Sequence, residues 1–485
     1  MIKDHLLKII IFVCISLCTI VNIGAQGNIY KAISEAEKTV FSITTYNKGG
    51  GKIGKSAGFF ISSQGLAVCQ ASLFIGADSI SINDPRNLNL TIERIVSTHQ
   101  ASDLAIVKIE SSIKNRFDFL FPTTSLFREE EELLIFSDPD LKSDGAVIEK
   151  ITKVIDKPFL NRLGILSSYL SSKAYAAPVI NGKGELVGIV GNYKEQAPSF
   201  IFNCATLSDT SWISFNITPK KLKESALKQA YLASSLSKAL VCLSFDDWIG
   251  SAKYLTSYLK VFNNSAMGFA MRGYTRYMYN NKEESKHDFA TARQISAHSY
   301  LVYYFQCLVA INENKKERAY SLADSSVYYQ PKFPQTRILR GDLGLETNKP
   351  TNDALLDYSY AIQANPNYAE AYYRRCLYLR KYTKNFDLAY SDITQCIMLD
   401  PSIGNAYFLK SQMDIENENF FEAQKNLNKA VQKNPANEEM LFTRAIVNYH
   451  LGLRTEACQD WKKASDLGDQ KAMSYLLKYC NQSTH

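Results

Sequence analysis

A register of about 34 residues runs through the second half of this chain and constrains its fold more than any other feature. Prolines close successive units at Pro331, Pro366, Pro401 and Pro435. Small residues recur at three positions of the unit, which indicates that paired helices approach closely there. They are Gly273, Cys307, Cys376, Ser411 and Ala445 at the first position, Ser285, Ala319, Ala354, Ala389, Ala423 and Ala457 at the second, and Ala292, Ser326, Ala361, Cys396, Ala430 and Ala464 at the third. The register predicts six helix pairs, at residues 266–299, 300–334, 335–368, 369–403, 404–437 and 438–471.

This pattern resembles the tetratricopeptide repeat (TPR). The resemblance implies an all-α solenoid in which each unit packs on its neighbours. Residues 218–265 are predicted to form linker helices or a degenerate repeat, because Thr218-Pro219 is typical of a helix start. Residues 472–485 are predicted to form a capping helix and a tail.

The TPR resemblance also implies a concave face, lined by the first helix of each unit, that holds a protein or peptide ligand. Aromatic side chains in such a groove favour binding because they supply contact area at a small entropic cost. An alternative interpretation is that several of them are buried by the next helix. The family's groove positions correspond here to Tyr274, Tyr277, Tyr304, Tyr373, Leu377, Arg380, Phe408, Phe442 and Tyr449.

Residues 26–217 have a different character, with short β-branched or alternating runs separated by turn clusters. Examples of the runs are Thr39–Thr45, Leu104–Ile109 and Ile213–Ile217, and Asn181-Gly182-Lys183-Gly184 is a typical turn. Many short strands at this spacing predict an all-β sandwich or barrel.

Four stretches of this half, in order, resemble the high-temperature-requirement family of trypsin-like serine proteases. They are residues 57–68, 102–109, 176–189 and 213–219. The resemblance implies a trypsin-like double barrel. The chain is therefore predicted to be multidomain, with an all-β trypsin-like double barrel followed by an all-α TPR solenoid.

The residues that would carry peptidase chemistry are not retained. Catalysis by a triad needs a nucleophile, an imidazole base and a carboxylate that orients the imidazole. The resemblance places Ser72 at the base and Tyr175 at the nucleophile, and only Asp103 keeps its family identity. We therefore predict a pseudoprotease without catalytic residues, in which the Asp103 carboxylate binds local backbone or hydroxyl groups such as that of Ser72. His99 is interpreted as a loop histidine.

The N-terminus predicts export. Lys3 and Lys8 precede an apolar run at Ile9–Val21, and Ala25 lies where a signal peptidase would cut. Residues 1–25 are thus predicted to be a signal peptide, and the protein to be periplasmic or secreted. The alternative is an uncleaved membrane anchor, for which the apolar run is short. No later stretch is long enough to span a membrane.

Composition limits the other classes of function. The net charge of +7 is too dilute for a nucleic-acid-binding protein, and its excess beyond residue 217 favours acidic partners. The six His and ten Cys form no zinc pattern, so no metal and no cofactor is predicted. Cys307, Cys376 and Cys396 occupy packing positions and are predicted to be buried thiols, with a Cys376–Cys396 disulfide as the alternative.

Together these features predict an exported protein–protein interaction scaffold or adaptor that is not an enzyme. Two alternatives stay open at this point. One is an exported serine-type peptidase with an unconventional active site, and the other is an envelope assembly factor. The sequence names no partner.

Overall fold

The structure is a computed structural model of the chain. It describes residues 31–480 except 85, 87–89, 100–101, 112–116, 124–125, 137–139, 141–145, 158–160, 192–198, 209–212, 218–234 and 237. The predicted signal peptide lies outside these residues. The chain divides into two compact units, residues 1–295 and residues 296–485.

The first unit contains strands at the runs that the sequence predicts, together with four strands at other positions. In chain order the strands are β1 (Val40–Tyr46), β2 (Lys52–Phe60), β3 (Leu66–Gln70), β4 (Ser79–Asn83), β5 (Leu90–His99), β6 (Leu104–Ser111), β7 (Glu132–Phe136), β8 (Ala146–Lys157), β9 (Asn161–Leu166), β10 (Pro178–Ile180), β11 (Leu186–Gly191), β12 (Phe200–Asn203) and β13 (Ile213–Ile217).

These strands form one closed barrel and one seven-stranded sheet. The barrel has the order β10-β11-β12-β9-β8-β7, and the sheet has the order β13-β5-β6-β3-β2-β1-β4. All pairs of neighbouring strands are antiparallel. Apolar side chains such as Phe41 and Phe60 fill the core of the sheet, and Phe127 and Ile201 lie in that of the barrel. In the described residues the prediction of a β-domain is therefore confirmed, with a single closed barrel where two were expected.

Helices follow the β-domain. The first unit contains α1 (Trp248–Leu259), α2 (Ala266–Met278) and α3 (Lys282–Ile295). The second contains α4 (Tyr300–Asn312), α5 (Lys316–Tyr329), α6 (Pro334–Glu346), α7 (Thr351–Ala364), α8 (Ala369–Tyr378), α9 (Phe386–Leu399), α10 (Gly404–Glu416), α11 (Phe420–Lys433), α12 (Glu438–His450), α13 (Arg454–Asp466) and α14 (Gln470–Tyr479). Each of the six predicted units contains two helices, so the helical repeat is confirmed.

The small residues of the register lie where the two helices of a pair meet. Gly341 belongs to the same series, and a Cβ added to it would come within 2.8 Å of the Tyr358 ring. One residue with positive φ then reverses the chain between the paired helices, because this conformation ends a helix sharply. These turn residues are Asn280, Asn314, Asn348, Lys384, Glu418 and Gly452.

A buried ion pair joins the two helices in four of the six pairs. In each, an arginine of the first helix donates two hydrogen bonds to an aspartate of the second, at distances of 2.7–2.9 Å. The aspartates are almost completely buried. The pairs are Arg272–Asp288, Arg340–Asp357, Arg375–Asp392 and Arg444–Asp460.

Within the part of the chain that the structure describes, no helix combines the length and the apolar character that a bilayer crossing needs.

Candidate functional site

The first candidate region is that of the degenerate triad positions, where Gln70 lies beside Ser72 and Asp103. Strand β3 ends at Gln70, and the 3-10 turn that follows brings Ser72 beside Asp103, which lies just before β6. The Ser72 hydroxyl donates to Asp103 Oδ2 at 2.6 Å, and the Ser72 amide donates to Oδ1 at 2.9 Å. The side-chain amide of Gln70 donates to the Ser72 hydroxyl at 2.8 Å and to Asp103 Oδ2 at 3.1 Å. The hydrogen bond predicted between Ser72 and Asp103 is therefore present.

Tyr175, which the resemblance places at the nucleophile, lies in the buried core of the domain. It is 7% exposed and packs among Val68, Leu104 and Ile180. Its hydroxyl donates to the backbone carbonyl of Ser102 at 3.1 Å. This tyrosine therefore acts as a packing residue whose polar end binds backbone.

His99 is the last residue of β5 and is buried, which differs from the predicted loop position. Its Nδ1 lies 2.6 Å from the Ser102 hydroxyl and accepts the Ser102 amide at 3.2 Å. The imidazole thus binds the turn between β5 and β6. The sequence predicted a loop at His99 because it did not show that β5 continues as far as this residue.

Burial raises the pKa of the Asp103 carboxyl to about 6, although the hydrogen bonds from Ser72 and Gln70 and the charge of Lys238 act in the opposite direction. Between about pH 4 and pH 6 the native carboxyl therefore holds a proton that the unfolded chain has lost. Stability should fall as the pH rises through this range, by at most about 1.4 kcal/mol per pH unit.

The Asp103→Asn variant should lack this decline, because an amide does not titrate. The measurement is the free energy of unfolding as a function of pH, with the exposed Asp118→Asn as the matched control. If the profile of Asp103→Asn ran parallel to that of the wild type, the carboxyl would not titrate in this range.

The second candidate region is the face of the first helices, and several of its predicted aromatics are packed rather than free. Tyr304 is 7% exposed, and its ring lies 5.2 and 5.3 Å from the rings of Phe305 and Phe333. Tyr274 packs edge-on against Trp248, and burial raises its pKa to about 12.

The predicted aromatics of the last two pairs also contact neighbouring helices. Phe442 lies edge-on to Tyr475 of α14, and Tyr449 lies 5.7 Å from Trp461. Phe408 packs against the buried cluster that contains Leu441 and Trp461. Phe408, Phe442 and Tyr449 thus pack on neighbouring side chains and stay partly exposed, so the next helix covers them only in part.

Eight of the nine predicted residues keep part of their surface, and only Tyr304 is buried. Tyr277, Tyr373 and Leu377 are among the half-buried ones. Burial raises the pKa of Tyr373, and the Lys282 ammonium lies 5.9 Å from the centre of the Tyr277 ring.

Arg380, the remaining predicted residue, bridges two repeats. It follows α8 in a short π-helical turn, Leu379–Thr383. Its guanidinium donates to Gln412 Oε1 at 3.4 Å and contacts the Glu416 carboxylate, both on α10.

Sequence reasoning missed a second bridge of the same kind. Arg374 of α8 donates to Glu370 Oε1 at 2.7 Å and lies 3.4 Å from Asp342 Oδ2 of α6. Burial raises the pKa of both carboxyls. The sequence does contain a sign of this bridge, because charged residues recur between the apolar residues of the first helices. Together the two bridges connect the first helices of three successive pairs.

The cysteines are partly as predicted. Cys307, Cys376 and Cys396 are buried free thiols, which confirms the packing interpretation and not the alternative bridge. A disulfide instead joins Cys458 of α13 to Cys480 at the end of α14. Among the described residues, no group of three or more His, Cys, Asp or Glu side chains is arranged to hold a metal ion.

Comparisons with known proteins give partial similarities of fold. No protein-family model matches the chain, and no curated protein matches it. Among solved structures, YrrB, described as a TPR protein with an unusual peptide-binding site, is 16% identical, with a TM-score of 0.34 over 39% of this chain and 97% of its own. PilF of Pseudomonas aeruginosa is 14% identical, with a TM-score of 0.40 over 44% and 97%. An inactive form of Rv3671c from M. tuberculosis is 14% identical, with a TM-score of 0.30 over 36% and 86%. Each of these three similarities covers less than half of this chain.

Proposed function

We propose that this protein is an exported interaction scaffold that binds an extended polypeptide along the first helices of its TPR-like repeats. The observation that carries the proposal is the pair of polar bridges that link α6, α8 and α10. Arg374 and Arg380 hold the three helices in a fixed register, so that their half-exposed side chains form one continuous surface. Leu377 lies between the two arginines on this surface and provides an apolar contact.

The β-domain fits a trypsin-like pseudoprotease within the same proposal. The Ser72 hydroxyl is bound to Asp103, and the Tyr175 phenol lies in the core, so neither is arranged as a base–nucleophile pair. A fixed domain without peptidase chemistry suits a scaffold.

Export is supported by an observation that is independent of the N-terminus. The Cys458–Cys480 disulfide is typical of an oxidising compartment, because cytosolic reductants keep most thiols reduced. The proposed location is therefore the periplasm or the outside of the cell.

The test uses the full chain, without its first 25 residues, and a displayed library of random peptides. For a peptide selected on the wild type, Leu377→Ala should weaken binding by about 2 kcal/mol, roughly thirtyfold, because it removes an apolar anchor from the groove. The matched control is Leu356→Ala on the second helix α7, where the side chain is 54% exposed and no groove is expected. Affinity is measured by fluorescence anisotropy, with the melting temperature of each variant recorded.

Equal affinity of the wild type and Leu377→Ala, at an unchanged melting temperature, would place the binding site elsewhere. Loss of affinity in Leu356→Ala would move it to the second helices.

A further inference from the structure

A surface cleft of about 430 Å³ lies between the start of α9 and the end of α10. Met413 is buried at its base, and Phe386 at its rim is 50% exposed. Aromatic, apolar and acidic groups thus meet in one place. The lining residues are Phe386, Asp387, Tyr390, Met413, Glu416 and Asn417.

The corresponding place two repeats earlier, between the start of α5 and the end of α6, binds lysines of the chain itself. The Lys316 ammonium lies 3.1 Å from Glu346 Oε2. The Lys349 ammonium lies 3.4 Å from Glu317 Oε2 and 5.2 Å from the centre of the Tyr320 ring. Two carboxylates and a tyrosine ring are therefore a set of groups that accepts ammonium ions in this fold.

The cleft between α9 and α10 keeps these acceptors and lacks the lysines. Asp387, Tyr390 and Glu416 take the positions of Glu317, Tyr320 and Glu346 in their helices. At the position of Lys316 stands Phe386, and after the turn, at the position of Lys349, stands Asn419.

The groups that face the cleft already attract cations of their own chain. Arg380 contacts Glu416, and the Lys410 ammonium lies 5.1 Å from the centre of the Tyr390 ring. The structure gives Asp387 no ion-pair partner within the described residues, and its side chain is exposed. In the next repeat, the corresponding place is filled by stacking of Phe420 on His450, with ring centres 4.9 Å apart.

We propose that this cleft binds a lysine side chain of the polypeptide held by the repeats. The aliphatic part of the lysine lies against Phe386 and Met413, and its ammonium group lies between Asp387 and Glu416. The inference rests on the proposed function, since Glu416 also forms part of the bridge to Arg380 on the groove face. The lysine site specifies a basic side chain in the partner. The net charge of the second unit could not specify this, because residues 296–485 carry 22 Lys and Arg against 21 Asp and Glu and are nearly neutral.

The test uses a defined probe on the full chain. The probe is Nα-acetyl-lysine methylamide, and its neutral counterpart carries a second acetyl group on Nε. Saturation-transfer NMR should detect the charged probe at millimolar concentration and the neutral one at least fivefold more weakly. Two variants should reduce binding of the charged probe by about fivefold or more. Asp387→Asn removes the carboxylate, and Phe386→Lys supplies the internal lysine found in the earlier repeat.

The control is Asp466→Asn, an exposed acidic residue of α13, which should bind the probe as the wild type does. The inference is overturned if the neutral probe binds equally well, if Asp387→Asn behaves as Asp466→Asn does, or if no binding is detected. The outcome is separate from that of the peptide test. Selected peptides that depend on Leu377 but bind Asp387→Asn and wild type equally would refute the lysine site and leave the scaffold function in place.

Discussion

Replacing Asp357 with asparagine should lower the free energy of unfolding of the helical repeats by about 3 kcal/mol. The Asp357 carboxylate is 1% exposed and accepts hydrogen bonds from Arg337 and Arg340 at 2.7–2.8 Å. A neutral amide would leave two partly buried guanidinium groups without their shared counter-ion, and an uncompensated buried charge is strongly unfavourable. The measurement is urea unfolding of the full chain, followed by far-ultraviolet circular dichroism.

The chain provides a matched control for this variant. Asp324 pairs with the same Arg340, at 2.7 Å, but its side chain is 56% exposed. Asp324→Asn should therefore cost about 0.5 kcal/mol or less, because solvent screens an exposed pair. If the two variants lost equal stability, burial would not be what makes the Asp357 pair important.

This ion pair was visible in the sequence as a pattern. Its arginine directly precedes the first small position of the repeat, and its aspartate follows the second small position by three residues. Where one partner is missing, the other is missing too: Gln306 and Leu322 stand there in the second unit, and Lys410 and Asn426 in the fifth. Sequence reasoning followed the small apolar positions and treated charged residues as solvent-exposed, as most are. A buried charge becomes recognisable only when its partner is found at a constant spacing.

The groove residues were harder to predict for a different reason. The register shows which residues lie on the first helix of each pair, and the structure agrees. It does not show how far one pair rotates against the next, and this rotation decides whether Tyr304 or Phe442 faces solvent or a neighbouring helix. Arg380 illustrates the same limit, because its partners Gln412 and Glu416 lie one repeat further on.

In the β-domain, local sequence and structure agree at Ser72 and Asp103, since the two lie next to strands that pair directly, β3 and β6. The environment of Tyr175 could not be derived in this way. Its hydroxyl binds Ser102, 73 positions away, across a contact that depends on the packing of the whole domain.

The disulfide between Cys458 and Cys480 fastens α14, the last helix of the described residues. Helix α14 covers the end of the repeats, and its Tyr475 and Tyr479 rings lie 5.4 and 5.8 Å from the ring of Trp461. Trp461 is 1% exposed. A terminal helix of ten residues is marginal on its own, so its order depends on this packing and on the covalent link.

Replacing both Cys458 and Cys480 with serine should therefore allow α14 to open far more often. A link across a separation of 22 residues is expected to contribute about 3 kcal/mol, which corresponds to roughly a hundredfold faster amide hydrogen exchange if the effect is confined to the helix. The measurement is hydrogen exchange of the peptide that covers residues 470–480, in the double variant and in the wild type with and without reductant. Cys307→Ala is the control, since it removes a buried free thiol at a position where the sixth unit has Ala445, and it should leave this exchange unchanged. Unaltered exchange in the double variant would mean that aromatic packing alone holds the cap, and faster exchange in reduced wild type would tie the stability of the cap to an oxidising compartment.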